Sequence, residues 1–387
     1  MISGRRLLAV LIKFGLVVFL ATWVLNQIQI KDVLAFERTG TPQTVEGRLQ
    51  GDFTTANWEF FTKDPRLNVT VLRPRSAFPD KVEFRPGFIT LLREMDLLWF
   101  FAGFGLWGIL LVFAAYRWKL LLRAAQIKTS FRNALRLCFV GYFFNNVMPG
   151  VTGGDLVRGA LVTRGLEKNR WRAALSVLVD RIIGLFALLS LAAIVLASTL
   201  LWGPEQVNSH LVAIGKGVFL LLGSGALLGT LYLSRRFRAL LGLKRWLSIP
   251  GTSLLGKIDS ALTVYRQRPS DVVWAFLLSL PLQFCGILSF WCLAQSLEAN
   301  LDPLNTFVIF PVVQTLSAVP LAPAGWGVGE TLYGTFFRWF GSSFTMGVAV
   351  SVLFRITTQI GFGLIGGVVW LLSDQYKKHV HLINDPS

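Results

Sequence analysis

The stretch NNVMPGVTGGDLVRG, residues 145 to 159, breaks an otherwise apolar run with Pro149, Gly150, Gly153 and Gly154, then resumes with Asp155 and Arg158. A second stretch, VPLAPAGWGVGE at 319 to 330, does the same with Pro323, Gly325, Gly327, Gly329 and Glu330. Each break leads to an arginine inside a long apolar segment. Pro149 lies 32 residues before Arg181 and Pro323 lies 32 before Arg355, and the two arginines close the related runs SVLVDR (176 to 181) and SVLFR (351 to 355). This is a degenerate internal repeat. In membrane proteins, interrupted hydrophobic segments at corresponding positions of two halves point to a substrate site.

The composition fits that setting. Hydrophobic residues make up 53% of the 387 and charged ones 15%, with a mean hydropathy of +0.56, values of an integral membrane protein. Apolar runs of the roughly 20 residues needed to cross a bilayer occur at Leu7 to Leu25, Leu97 to Tyr116, Ala173 to Trp202, Leu211 to Leu233, Val272 to Leu297 and Met346 to Leu372. These six are read as full spans. The segments 134 to 162 and 306 to 340 are also apolar but cut near the middle, and each reads either as two short spans or as a re-entrant pair.

The net charge of +17 raises a nucleic-acid reading, which the placement of the charge removes. Residues 31 to 96 hold ten basic and ten acidic residues. By contrast, 117 to 136 carries six basic and no acidic residues, 164 to 172 four basic, and 235 to 268 eight basic with one acidic. The connections at 203 to 210 and 298 to 303 have no Lys or Arg. This is the positive-inside bias of membrane topology. Both termini fall on the cytoplasmic side of the cell membrane, and parity closes, when each broken segment returns to the side it left. The two repeats, 97 to 202 and 272 to 372, are then inverted. Irregular backbone at membrane depth is tolerated where it faces protein or a water-filled cavity, so both breaks are expected to face an interior site. Ordinary helix kinks are the plainer alternative.

The expected fold class is therefore an all-α polytopic integral membrane protein: six full spans, two inverted re-entrant hairpins and a small extracytoplasmic β-rich insertion. Residues 1 to 30 form an uncleaved anchor helix, since Lys13 interrupts the apolar run and no small-x-small cleavage pattern follows it. Residues 31 to 96 form the insertion, with strand-like alternation at 45 to 53, 68 to 74 and 81 to 88. A unit this small without cysteine needs support from the membrane region or a partner. The main transmembrane region spans 97 to 372 and a cytoplasmic tail 373 to 387. The basic connection 235 to 268 reads as an interfacial helix on anionic lipid or as ordinary loop charge.

Several chemistries fall away. GTSLLGKI (251 to 258) lacks the Ser/Thr that a phosphate-binding loop needs for Mg²⁺, and GFGLIG (361 to 366) lies in an apolar span, where it reads as a small-residue helix contact. The three histidines all lie outside the apolar spans, and Cys138, Cys285 and Cys292 have no metal spacing. No metal, cofactor or catalytic centre is expected.

What remains is a set of charges at membrane depth, where each costs about 2.5–3.5 kcal/mol on insertion scales and faces a bundle interior or polar pathway: Asp155, Arg158, Asp180, Arg181, Glu330 and Arg355. One reading is that the acids only neutralise the arginines. The other is a binding place for an anionic headgroup, with helix N-termini after each break, fork-shaped guanidiniums, and Asn145 and Asn146 either as further donors or only as caps of the broken backbone.

The blocks N-N-x-x-P-G-x-x-G-G-D-x-x-R (145 to 158), S-V-x-x-D-R (176 to 181) and P-x-G-x-G-x-x-E (323 to 330) resemble the lysylphosphatidylglycerol synthase transmembrane, flippase-like family over about residues 97 to 372. That resemblance implies a polytopic lipid-handling domain with inverted re-entrant repeats, which in some members moves aminoacylated phosphatidylglycerol between leaflets. It also implies that Asp155, Arg158, Arg181, Glu330 and Arg355 line the lipid pathway. The implied partners are membrane lipids, as an anionic phospholipid or a polyprenyl-phosphate-linked lipid. Synthesising members carry a large soluble aminoacyltransferase domain, whereas this sequence ends 15 residues after Leu372, so synthase activity is not expected. The competing reading is a non-catalytic membrane subunit that presents lipid to a separate aminoacyl- or glycosyltransferase.

Overall fold

The computed structural model describes residues 29–38, 41–50, 58–64, 69–74, 76, 78, 82–147, 153–163, 170–202, 209–234, 259, 262–299, 301–317 and 327–373, together with Thr22 and Asn26. The expected anchor helix, the basic connection and the tail thus lie largely outside the described residues.

Five strands open the described chain: β1 (Asp32–Arg38), β2 (Thr41–Gln50), β3 (Glu59–Asp64), β4 (Val69–Pro74) and β5 (Val82–Arg85). They form one antiparallel sheet in the order β4-β3-β2-β1-β5. Alternate side chains on one face, Leu34, Phe36, Phe60 and Phe84 among them, close over Trp58 and Phe78. The sheet is anchored by Asp32, 1% exposed, whose carboxylate accepts from the amides of Gly87 at 2.8 Å and Leu49 at 3.0 Å.

A short helix α1 (Phe88–Arg93) leads from the sheet into the apolar region. Next come α2 (Leu97–Ala124), α3 (Phe131–Val147), α4 (Gly153–Val162), α5 (Arg170–Trp202) and α6 (Ser209–Leu233). The second half holds α7 (Pro269–Ser296), α8 (Pro303–Ser317), α9 (Val328–Trp339) and α10 (Phe344–Arg355). A π-helical turn (Ile356–Gly361) then joins α10 to α11 (Phe362–Leu371). Among the described residues, five helical stretches are long and apolar enough to cross a membrane: α2, α5, α6, α7 and the continuous α10–π–α11. Their outer faces expose large apolar side chains such as Leu98, Leu201, Leu220 and Leu364, the surface a lipid solvent requires.

At 1.5 Å per residue, α5 is about 50 Å long, whereas α4 and α9 are about 15 and 18 Å. A hydrocarbon core is about 30 Å thick, so these two short helices fall well below a crossing length.

The packing repeats between halves. When α2, α3, α4 and α5 are exchanged with α7, α8, α9 and the α10–α11 stretch, the neighbours map onto one another: α3 packs on α11 as α8 packs on α5, α4 on α5 as α9 on α10, and α2 on α3 as α7 on α8. The equivalent pair α2 and α7 pack together and run antiparallel. At one end the Asp96 amide donates to the Ser296 carbonyl at 2.8 Å, and at the other Arg123 meets Asp271 at 2.5 Å.

The sheet rests on this bundle. The Phe88 amide donates to the Gln29 carbonyl, the Gln29 amide donates to Thr345 Oγ1 in the first turn of α10 at 3.1 Å, and Leu91 is buried in the main helical core.

The α3–α11 crossing is tight. A Cβ on Gly366 would run into the backbone carbonyl of Phe139, and one on Gly367 would meet the Phe143 ring, so GFGLIG is a helix contact in the structure. Gly366→Leu is expected to force the two backbones apart and destabilise by about 1–3 kcal/mol or more. Thermal unfolding in detergent measures this, with Gly229→Leu as control because Gly229 faces open space on α6.

A candidate charged cavity between the halves

Asn145, near the end of α3, accepts the Gly154 amide on its Oδ1 at 2.8 Å, so its side chain caps the restarting helix α4. Capping relieves one of the orphan amides at a helix start. Asp155 is then the third residue of α4 and pairs with Arg181 of α5. In the second half, Gly327 takes a φ of 83° that favours glycine. Its amide donates to Glu330 Oε2 at 2.7 Å. Glu330 is the third residue of α9, and its Oε1 lies 2.6 Å from Arg355 Nε. This is an ion pair by distance, not an aligned hydrogen bond. Arg181 and Arg355 are each the twelfth residue of their helices. The acid and arginine of each repeat therefore meet in the same way.

The first half carries a further ionic layer. Asp180 Oδ1 accepts from Arg117 Nε at 2.8 Å and its Oδ2 from Arg158 Nη2 at 3.1 Å. Arg117 also donates to Ser279 Oγ at 3.1 Å. Arg158 lies 3.6 Å from Asp155 and stacks on Trp118 at 4.5 Å. Arg117, Arg158 and Asp180 are 6%, 8% and 4% exposed. Charges this deep are held only when paired and hydrogen-bonded.

These groups surround a cavity of about 370 Å³, within the range of small-molecule sites. Both halves line it: Asn145, Asp155, Arg158 and Arg181 from the first, Gly329 and Arg355 from the second. Glu330 sits behind Arg355. Four guanidiniums (Arg117, Arg158, Arg181 and Arg355) and two carboxylates (Asp155 and Asp180) line the cavity, and no other charged side chain does so among the described residues. Counted with Glu330 behind Arg355, the site carries an excess of one positive charge.

One correction concerns Arg117. The charge pattern assigns Arg117 to a cytoplasmic loop, but α2 continues to Ala124 and buries it. The signal was present, since Trp118 and Leu120–Leu122 prolong the apolar run on either side of the interspersed Lys119. Asp180, a candidate charge in the sequence, proves to be the central acceptor. Sequence reading also missed Tyr333 and Trp107 as lining residues. Asn146 belongs to α3 but its side chain is outside the described part, as are Pro149, Gly150, Pro323 and Gly325. Gly153 and Gly154 open α4 and are buried. No group of three or more His, Cys, Asp or Glu is arranged to hold a metal among the described residues.

The fold and the cavity define a helical membrane protein whose two related halves enclose a positively biased interior. The chain belongs to the family described as the lysylphosphatidylglycerol synthase TM region, whose model matches residues 86–366. It is similar to a UPF0104 membrane protein of Pyrococcus horikoshii, 24% identical over 306 residues that cover 73% of this chain and 89% of the relative. A UPF0104 membrane protein of Methanothermobacter thermautotrophicus is 25% identical over 323 residues, 72% and 90% of the two chains. One of Methanocaldococcus jannaschii is 21% identical over 275 residues, 67% and 80%.

Proposed function

We propose that this protein is a flippase-like transporter that moves an anionic or modified phospholipid, or a polyprenyl-phosphate-linked lipid, between the leaflets of the cell membrane. The observation that carries this reading is the buried excess of positive charge in a cavity built jointly by two equivalent halves. A phosphate diester supplies the missing negative charge, and guanidiniums match it with paired donors. Arg158, Arg181 and Arg355 contact the phosphate, Asp155 and Glu330 hold two of these arginines in place, and Asn145 and Asn146 shape the approach.

In this reading the short helix pairs α3–α4 and α8–α9 are re-entrant hairpins, which their lengths favour. The antiparallel packing of α2 and α7 supports inverted repeats. With the N-terminal anchor as a sixth span, both termini are cytoplasmic and the sheet is outside. Alternating access is then a rocking of one repeat against the other around the shared cavity.

Reconstitution into liposomes tests the proposal. Dithionite quenching of fluorescent phosphatidylglycerol is expected to proceed past the outer-leaflet half in the presence of the protein, and more slowly with phosphatidylethanolamine. Quenching that stops at the outer leaflet for every anionic lipid would reject transport. The second reading, a non-catalytic subunit presenting lipid to a separate transferase, is favoured by one finding: the matching family is named for the membrane region of a synthase. It predicts loss of a modified lipid on deletion, with no leaflet exchange by the purified protein.

A further inference from the structure

The two halves place different chemistry at equivalent positions. Arg158 is the sixth residue of α4 and Tyr333 the sixth of α9; Asp180 is the eleventh residue of α5 and Phe354 the eleventh of α10. Where the first half is ionic, the second is aromatic. Tyr333 stacks on Phe290 at 4.6 Å, and Phe354 meets Phe290 and Trp107 edge to face at 5.4 and 5.1 Å.

This aromatic side carries polar atoms without protein partners. The Tyr333 hydroxyl, the Trp107 indole N–H and the Ser317 hydroxyl are buried and make no hydrogen bond among the described residues. Tyr333 and Trp107 are 3% and 8% exposed, and all three residues line the cavity. A buried polar group without a partner is unfavourable and marks a place where something else is meant to bond. The three groups are neutral, and two of them sit on aromatic rings.

The carboxylates point the same way. Asp155 is engaged by Arg181 and Arg158, Asp180 by Arg117 and Arg158, and Glu330 by Arg355 and the Gly327 amide. None of them is left for an ammonium group, and the site, counted with Glu330, is already positive by one charge. A headgroup bearing an added aminoacyl ammonium would meet that excess without a counter-charge.

Resting on the lipid-site reading above, we infer that the cavity selects a phosphodiester lipid whose headgroup beyond the phosphate is neutral and hydroxylated, a polyol or a sugar, and disfavours aminoacylated headgroups. The guanidiniums take the phosphate. Tyr333, Trp107 and Ser317 take the hydroxyls, and the rings of the second half cover the apolar face of the polyol or sugar.

The test measures binding rather than transport. Short-chain phosphatidylmethanol, phosphatidylinositol and lysyl-phosphatidylglycerol are titrated against the purified full chain in detergent, with intrinsic fluorescence or native mass spectrometry as readout. Phosphatidylmethanol has the diester charge and no hydroxyl beyond it. Phosphatidylinositol is expected to bind at least about tenfold more tightly than phosphatidylmethanol, the scale of one or two hydrogen bonds, and lysyl-phosphatidylglycerol more weakly than either. Tyr333→Phe and Trp107→Phe are expected to shrink the phosphatidylinositol margin while leaving phosphatidylmethanol binding unchanged, a pattern that a misfolded variant does not give. Equal binding of phosphatidylmethanol and phosphatidylinositol, or preferred binding of the lysyl lipid, overturns this inference alone. Failure of all three lipids to bind overturns the lipid-site reading and this inference with it.

Discussion

Asp180→Ala is expected to prevent the protein from folding stably. Asp180 is the shared acceptor of Arg117 and Arg158, both buried, with the shorter contact at 2.8 Å and the longer at 3.1 Å. Removing it leaves two guanidiniums in a low-dielectric interior. Arg158 keeps the 3.6 Å approach to Asp155, a 3.6 Å contact with Cys138 Sγ and its stacking on Trp118, and Arg117 keeps the neutral Ser279. Breaking one buried pair typically costs about 3–5 kcal/mol, which rivals the whole stability of many domains at about 5–15 kcal/mol. The measurement is the yield of monodisperse protein on size exclusion, followed by thermal unfolding. Asp180→Asn keeps a hydrogen-bond acceptor without the charge and is expected to fall between the two. An alanine variant as stable as the parent would show that Asp180 is not the centre of the ionic layer.

Arg181→Ala is expected to leave the fold intact and lower lipid translocation at least about tenfold, the scale of one lost charge-assisted hydrogen bond. The Arg181 side chain is 36% exposed and its partner Asp155 18%. Pairs with this much solvent contact contribute about 0–1 kcal/mol to stability, and Asp155 retains Arg158 nearby. The loss to the cavity is larger, because its net charge falls from one positive to zero. The liposome assay described above reads the effect, and Arg181→Lys, which keeps the charge but not the fork, is expected to recover part of the rate. Undiminished translocation by Arg181→Ala would remove this residue from the pathway. Arg355 does not offer so clean a test. Its side chain and that of Glu330 are 9% and 5% exposed, so an alanine there strands a buried carboxylate and confounds stability with function.

The long elements were legible in the sequence because they depend on one strong signal, uninterrupted apolar length. The helices α5, α6 and α7 lie within a few residues of the apolar runs, and α2 is longer because Arg117, which in the sequence reads as the start of a loop, is buried inside the helix. The repeat was legible through Pro, Gly, acid and arginine spacing. Its mirror in the packing is the pairing of Asp155 with Arg181 and of Glu330 with Arg355. In the sheet, β2, β4 and β5 overlap the alternating stretches. Strand β3 was missed because Phe60 and Phe61 are adjacent and break the period of two, and β1 because VLAF at 33 to 36 is continuously apolar. The aromatic side of the cavity had no sequence signal at all. Tyr333 and Trp107 lie in apolar helices where an aromatic residue ordinarily signals packing, and only the fold brings them beside Arg355.

The π-helical turn at Ile356–Gly361 fixes a rotational phase. It follows Arg355 immediately, and Thr358 within it donates to the Phe354 carbonyl at 2.7 Å. An α-helix advances by about 100° per residue, and a π turn accommodates one residue more than an α turn. Winding the same residues as a regular α-helix would swing α11 by about 100° relative to α10. Gly366 and Gly367 would then turn away from Phe139 and Phe143 while Arg355 kept its place. The widened turn thus lets one continuous span aim its first half at the ion pair and its second half at the crossing with α3, two directions that a regular helix of the same length would not satisfy together.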